Sequence, residues 1–164
     1  MGLVNAGSLA PGDTIYSGKK VQFKPMPQFA PEAFRILRAK SLGKYKAFRK
    51  GLEQLAAEGV VQILKNEARG DASPVMAAVG PMQFEVMQAR MEFEYNVETV
   101  TEPIPYSVAR RTDAESAPEL GRQRGVEIFT RQDGELIALF GDKWKLAFIE
   151  KEHPELTMET LVAD

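Results

Sequence analysis

The chain contains no cysteine and a single histidine, and these shortages exclude several kinds of chemistry. Without cysteine there is no disulfide bond, no thiolate metal site and no cysteine nucleophile, a composition compatible with a reducing compartment. His153 alone cannot supply the usual ligand set of a zinc site, and its neighbours Glu152 and Pro154 suggest no nucleophile–base arrangement. The sequence therefore predicts no catalytic, cofactor-binding or metal-binding residue.

Long hydrophobic runs are absent as well. No apolar stretch approaches the ~20 residues of a membrane span, and the first residues lack the basic and apolar regions of a signal peptide. We therefore expect a soluble, cytoplasmic protein with no membrane partner. The stretch from Gly12 to Lys20 is not a phosphate-binding loop, because five residues separate Gly12 from Gly18 and Lys20 replaces the hydroxyl that would hold magnesium.

The net charge is small, but the charges are unevenly distributed. The formal charge at pH 7 is −2, yet the segment from Lys19 to Lys50 holds ten of the 21 basic residues and only one acid, Glu32, so that it carries +9. Such an asymmetry suggests a basic face that can meet a polyanion on an otherwise acidic body. A face that is merely solvated is the alternative.

The central part of the chain shows the hydrophobic patterns of strands and helices in the order βαββαβ. Phe48, Leu52 and Leu55 form one apolar stripe at helical spacing. The predicted elements are a strand over 32–38, a helix over 44–58, strands over 60–64 and 75–79, a helix opening at Gly80-Pro81, and a weaker strand over 97–101. This order predicts an α+β fold, a split βαβ two-layer sandwich with both helices on one face of the sheet.

The second predicted helix is apolar on two sides. One stripe consists of Met82, Val86, Ala89 and Phe93, and the other consists of Phe84, Met87, Met91 and Tyr95. A helix with two apolar faces needs a packing partner on each of them. We expect the second stripe to contact the segment 126–149 of an α/β extension. In this extension a polar helix over 113–122 precedes two strands, 126–131 and 135–140, and a mostly apolar helix that begins near Trp144 and ends near Pro154. The Asp133-Gly134 pair predicts a hairpin between those strands.

Two phrases within this region are unusually specific. The first combines FAPEAFRILRAK and FRKGLEQLAAEGVVQ, between Phe29 and Gln62, and the second is AVGPMQFEVMQARMEFEYNVE, from Ala78 to Glu98. Both resemble the C-terminal domain of the bacterial peptide chain release factor 3 family of translational GTPases. The resemblance covers essentially the whole chain and is looser after about residue 104. It implies a GTPase that drives class I release factors off the ribosome after peptide release. In fold order alone, the chain also resembles the third domain of elongation factor G-like proteins.

The resemblance also divides the chain. Residues 1–20, with a strand candidate at Asp13–Ser17, are similar to the closing strands of the β-barrel domain that precedes the C-terminal domain in this family. Residues 21–164 correspond to the C-terminal domain, with a βαββαβ module over 25–103 and an extension over 104–164 packed on it. The GTP and magnesium site of the family lies in an N-terminal domain that this sequence lacks, so we expect no cofactor here and interpret Met1 as a truncated start.

The family's C-terminal domain has no catalytic residue, which leaves docking on the ribosome as the expected role. Lys46 and Lys50 lie together on the first helix, opposite its apolar stripe, and Lys40 and Lys44 mark its approach. Fixed lysines suit phosphate contacts that do not depend on base sequence. We expect these four lysines to contact ribosomal RNA, with a small-subunit protein, the family's own GTPase and β-barrel domains and, indirectly, class I release factors as further partners. The alternatives are the equivalent domain of another elongation factor G-like GTPase and a free-standing ferredoxin-like ligand-binding or regulatory module.

Overall fold

The computed structural model describes residues 14–21, 23, 30–66, 68–70 and 73–161, which contain four helices and eight strands. A 3-10 turn, Leu42–Lys44, leads into the first helix. In chain order the elements are β1 Ala33–Ala39, α1 Tyr45–Ala57, β2 Gln62–Lys65, β3 Val75–Ala78, α2 Pro81–Tyr95, β4 Thr99–Pro103, β5 Val108–Thr112, α3 Ala117–Arg122, β6 Val126–Arg131, β7 Leu136–Phe140, α4 Lys143–Glu152 and β8 Glu159–Thr160.

The part of the predicted tail that the structure describes contains no strand. Residues 14–20 are irregular, so the strand predicted at Asp13–Ser17 is wrong for its described residues. Residues 1–13 lie outside the described part of the chain, as do Lys24 and Phe29.

All eight strands belong to one antiparallel sheet of order β4-β1-β3-β2-β6-β7-β5-β8. Its first half has the order β4-β1-β3-β2, with β1 between β4 and β3, and the prediction of a domain that combines helices with a sheet is confirmed. The second half joins at the free edge of β2, where Leu64 lies opposite Arg131 and Lys65 opposite Thr130. The extension therefore continues the sheet, and the description as a two-layer sandwich is too simple.

Helix α1 has the phase that its single apolar stripe predicts. Phe48, Leu52 and Leu55 are buried against β1, β2, β3 and α2. Gly59, just beyond the helix, has a φ of 77°, a conformation that glycine adopts without a steric penalty and that ends the helix. The packing prediction for this helix is confirmed.

Helix α2 is packed on one face only, so the prediction that both of its apolar stripes are covered is wrong. Phe84, Met87 and Met91 are buried in the same core as α1, and they do not contact the segment 126–149. The other stripe faces solvent: Met82 is 74% exposed and Phe93 is 91% exposed. The extension cannot cover this helix, because it is joined to the opposite edge of the first half-sheet.

The sheet face opposite α1 and α2 forms a second core. Phe34 and Val75 from the first half and Phe129 and Leu139 from the second half all belong to one buried cluster. None of the four helices contributes to that cluster. Side chains of both half-sheets pack together in this core, and Ile104, Tyr106 and Leu161 from the connections pack against it. Helices α3 and α4 pack with Leu120, Leu146 and Ile149 on the outer face of the second half.

Helices α1 and α2 are joined at their ends by an ionic cluster around Arg90. The Nη1 of Arg90 lies 2.5 Å from Glu58 Oε2, and its Nε lies 2.5 Å from Glu94 Oε1. Hydrogen bonds from this guanidinium hold the pKa of Glu58 and the pKa of Glu94 below their usual values. Glu58 follows α1, so its protonation weakens the connection between the two helices, whereas protonation of Glu94 weakens an ion pair within α2.

This cluster predicts a loss of stability in acid. Carboxyl groups whose pKa is lowered by folding stabilise the native state above their unfolded-state pKa, and that contribution disappears as the pH falls below about 4.5. We expect the melting temperature of the chain to exceed that of Arg90→Met at pH 7 and the gap to shrink towards pH 3. Arg122→Met, which removes a more exposed ion pair with Glu119, serves as the control. A gap that is independent of pH would contradict the assignment.

Candidate nucleic-acid interface

Lys46 and Lys50 form the solvent side of α1. Both side chains are exposed, and within the described residues neither makes an ion pair or a hydrogen bond to another side chain. Their spacing of four residues puts them on neighbouring turns of one helix face. Because the opposite face is fixed by Phe48 and Leu52 in the core, these two ammonium groups are held on a rigid element. Such a pair can contact two successive phosphates of a nucleic-acid backbone.

Lys40 and Lys44 lie elsewhere, at the end of α2. The Nζ of Lys40 is 2.9 Å from Glu98 Oε2, and this pair raises the pKa of Lys40 and lowers the pKa of Glu98. The Nζ of Lys44 donates to the backbone oxygen of Asn96, the left-handed residue that ends α2. A cation at a helix C-terminus interacts favourably with the helix dipole. Among the residues that the structure describes, two of the four predicted lysines therefore have local partners and two have none.

Sequence reasoning missed a further cation on the same side of the sheet. Lys65 ends β2, is exposed, and makes no ion pair among the described residues. Ile63 belongs to the core under α1 and Leu64 to the core on the other face, so the alternation of a strand places Lys65 on the α1 side. The alternation of Ile63, Leu64 and Lys65 is present in the sequence, but Lys65 lies outside the basic segment 19–50 that contains the four predicted lysines.

A cavity of about 380 Å³ opens beside α1. One wall is the flank of α1, the other is the connection between β2 and β3, and the turn after β6 closes one end. The residues that line it include Phe48, Arg49, Leu52, Lys65, Ser73 and Gln132. Arg49 also lies next to Lys50 in the chain, so the cavity and the lysine pair are neighbours on one helix.

Other kinds of site are not supported by the described part of the chain. It holds no group of three or more histidine, aspartate or glutamate side chains placed to bind a metal ion. Among the same residues, no helix has both the length and the apolar character needed to cross a bilayer. The Nδ1 of His153 lies 3.3 Å from Glu155 Oε1, at the end of α4, without a hydroxyl nucleophile hydrogen-bonded to either ring nitrogen.

Comparison with known proteins identifies the family. Residues 23–150 match the family model described as "Class II release factor RF3, C-terminal domain". The chain is 41% identical over 163 residues to peptide chain release factor 3 of Synechococcus elongatus, covering 98% of this chain and 29% of the relative. It is 42% identical over 160 residues to that of Trichodesmium erythraeum, covering 96% and 30%, respectively.

These similarities extend over nearly all of the chain, although the chain spans less than a third of the length of the curated relatives that it matches. They fall on the elements that build the lysine face and the cavity, since α1, β2 and β3 all lie within the matched residues. The chain therefore belongs to the release factor 3 family and corresponds to its C-terminal domain.

Proposed function

We propose that this chain is the ribosome-docking domain of a cytoplasmic translation-termination GTPase that promotes dissociation of class I release factors after peptide release. Family membership supports this role, because the relatives are named as peptide chain release factors. Its direct partners are ribosomal RNA and a small-subunit protein, and it affects class I release factors indirectly. Its own GTPase and β-barrel domains are the partners within the full-length factor.

The domain division is part of the same proposal. Residues 1–20 form the end of the preceding β-barrel domain, and residues 21–164 form the docking domain, with the module 25–103 and the extension 104–164. The module corresponds to the third domain of elongation factor G-like proteins, and the strand order β4-β1-β3-β2 supports this correspondence. Since fold alone does not establish function, the docking role rests on the chemistry of α1.

The observation that carries the docking role is the unpaired, rigidly held lysine pair Lys46 and Lys50. Lysines without ion-pair partners in the described residues can neutralise phosphates without breaking an existing salt bridge. Lys40 and Lys44 can contact phosphates only if they release Glu98 and the C-terminal end of α2, respectively. We therefore assign them a smaller contribution to binding than Lys46 and Lys50.

Ribosome binding is therefore expected to depend on salt through Lys46 and Lys50. Each phosphate contact that is lost reduces the slope of log affinity against log salt by roughly 0.7 to 0.9. We expect Lys46→Gln/Lys50→Gln to lower the affinity of the chain for purified ribosomes and to reduce the slope by about 1.5. The measurement is equilibrium binding across a potassium chloride series, with the melting temperature as a check on folding.

The matched control is Lys143→Gln/Lys151→Gln on α4. These two lysines are also exposed and make no ion pair within the described residues, but α4 lies on the outer face of the other half-sheet. The control should leave the slope unchanged. Equal changes for both pairs would mean that the charge acts without a specific face, and an unchanged slope for Lys46→Gln/Lys50→Gln would remove α1 from the interface.

The chain by itself is expected neither to bind nor to hydrolyse GTP. The spacing of Gly12 and Gly18 does not fit a phosphate-binding loop, and Lys20 supplies no hydroxyl for magnesium. Calorimetric titration with GTP and magnesium should show no saturable heat, whereas a homologous full-length factor should bind under the same conditions. A saturable signal from the chain would contradict this part of the proposal.

A further inference from the structure

We propose that the cavity beside α1 receives one unstacked base of the RNA whose phosphates contact Lys46 and Lys50. This inference rests on the proposed function and specifies the form of its ligand. The cavity adds recognition of a displaced nucleotide to a contact that would otherwise detect only charge. Single-stranded loops and bulges present such bases, because their nucleotides can be splayed out of the stack.

The walls of the cavity suit the apolar faces of a base. Phe48 and Leu52 of α1 approach from one side, and Ile63, Pro74 and Val75 from the other. At about 380 Å³ the cavity falls within the range of small-molecule sites, and it combines an apolar interior with a small number of polar groups, as such sites do. Phe48, Leu52, Ile63 and Val75 also belong to the two cores, so the interior is held rigidly.

The rim supplies polar groups that the fold does not use. Lys65, Ser73 and Gln132 make no side-chain hydrogen bond within the described residues. Two other lining residues are fully engaged. Asn66 donates to Glu127 Oε1 and Ile128 O, and Arg69 forms two bonds to Glu127 at 2.5 and 2.6 Å. The free groups are a hydroxyl, a carboxamide and an ammonium, which can bind the polar edge of a base and its phosphate.

Charge and position favour a nucleotide over an uncharged ligand or a basic peptide. Among the described lining residues, Arg49, Lys65 and Arg69 are cations and Glu53 is the one anion, and Arg69 is already paired with Glu127. Arg49 holds Glu53 only through an exposed contact of 3.3 Å. A backbone that follows Lys46 and Lys50 along α1 passes Arg49 at the mouth of the cavity, and Lys65 faces the same side of the sheet. A base that leaves the stack there enters the cavity while its own phosphate stays among cations.

The inference predicts a difference between RNAs that carry or lack one base. The probes are three hairpins of equal stem length: one with a single bulged adenosine, one with an abasic nucleotide in the bulge, and one fully paired. The adenosine-bulge hairpin should bind the chain at least about fivefold more tightly than the abasic one, since one stacked base contributes on the order of 1 kcal/mol or more. The abasic and fully paired hairpins should differ little.

Two variants test the location independently. Ser73→Leu fills the cavity from the β2–β3 connection, and Gln132→Trp covers its mouth from the turn after β6. Each variant should abolish the adenosine-over-abasic preference while keeping the salt slope. Lys65→Gln should reduce the salt slope by about one unit or slightly less. Melting curves identify any variant that does not fold, and the second variant then decides the result.

The outcomes separate this inference from the proposed function. Equal binding of adenosine-bulge and abasic hairpins by the unmodified chain overturns the inference, as does a preference that survives both cavity variants. Failure to bind any hairpin also overturns it. In each case the ribosome salt series with Lys46→Gln/Lys50→Gln still tests the docking role on its own.

Discussion

Replacing Phe48 with alanine is expected to lower the free energy of unfolding by about 3–5 kcal/mol, as is typical for a buried aromatic side chain. Phe48 is 1% exposed and packs with Leu52, Leu55 and the residues of α2. It also lines the cavity beside α1, so the hole left by its ring joins a space that already exists. Because the neighbours cannot close over that space easily, we expect a value in the upper part of this range. Urea denaturation followed by circular dichroism measures it.

Lys46→Ala, two residues away on the opposite face of α1, is the matched control. An exposed side chain without an ion pair among the described residues should change stability by no more than about 0.5 kcal/mol. Similar losses for Phe48→Ala and Lys46→Ala would show that α1 has a different rotation about its axis. The assignment of Lys46 and Lys50 to a solvent face would then fail as well.

The rotation of α1 was predictable because its sequence has one apolar stripe. Tyr45, Phe48, Leu52 and Leu55 define a single side, and Lys46, Lys50 and Gln54 occupy the other. A helix with one apolar side has one way to bury it. The order βαββαβ followed from similarly local patterns, which is why the first half of the sheet agrees with the sequence prediction.

The rotation of α2 was not predictable in this way, because its two stripes are equally apolar. Tertiary partners make the choice. The Oε1 of Gln83 accepts a bond from the backbone of Val79, Gln88 Nε2 donates to Thr99 O, and Arg90 reaches Glu58. These long side chains fix the flanks of the helix and turn Phe84, Met87 and Met91 inward. None of those partners can be inferred from periodicity.

The extension was predicted only in part. The hairpin β6–β7 and the helix α4 are present, because their signals are local. Strands β5 and β8 were missed. Arg110 and Arg111 in the middle of β5 obscure its apolar positions, and β8 has two residues, Glu159 and Thr160, which pair with β5 far along the chain.

The candidate site shows the same division between local and long-range information. The lysine pair followed from charge and helical spacing. The cavity did not, because it requires α1, the β2–β3 connection and Gln132 to meet beside the pairing of β2 with β6. Residues separated by more than 60 positions in the sequence line it together, and only the fold brings them to one place.

Helices α1 and α2 pack tightly against each other at Gly51. A Cβ atom at this position would lie 2.8 Å from Met91 Sδ and 2.8 Å from two ring carbons of Tyr95. The ring carbons include Cγ, which moves only if χ1 of Tyr95 rotates or α2 itself shifts. A methyl group would therefore force Tyr95 and Met91 into other rotamers or push the helices apart, and either change disturbs the core around Met87 and Met91.

Gly51→Ala is accordingly expected to destabilise the chain, although alanine favours helices. The better helix propensity contributes about 0.5–1 kcal/mol, whereas overpacking typically costs about 1–3 kcal/mol, so the net loss should be near 1–2 kcal/mol. Gly121→Ala in α3 is the control, because its Cβ would meet only Ile128 Cγ1 at 3.4 Å. That substitution should be neutral or stabilising by up to about 1 kcal/mol. Denaturant midpoints that rise for both variants would show that α1 and α2 have room to spare, and that Gly51 does not set their separation.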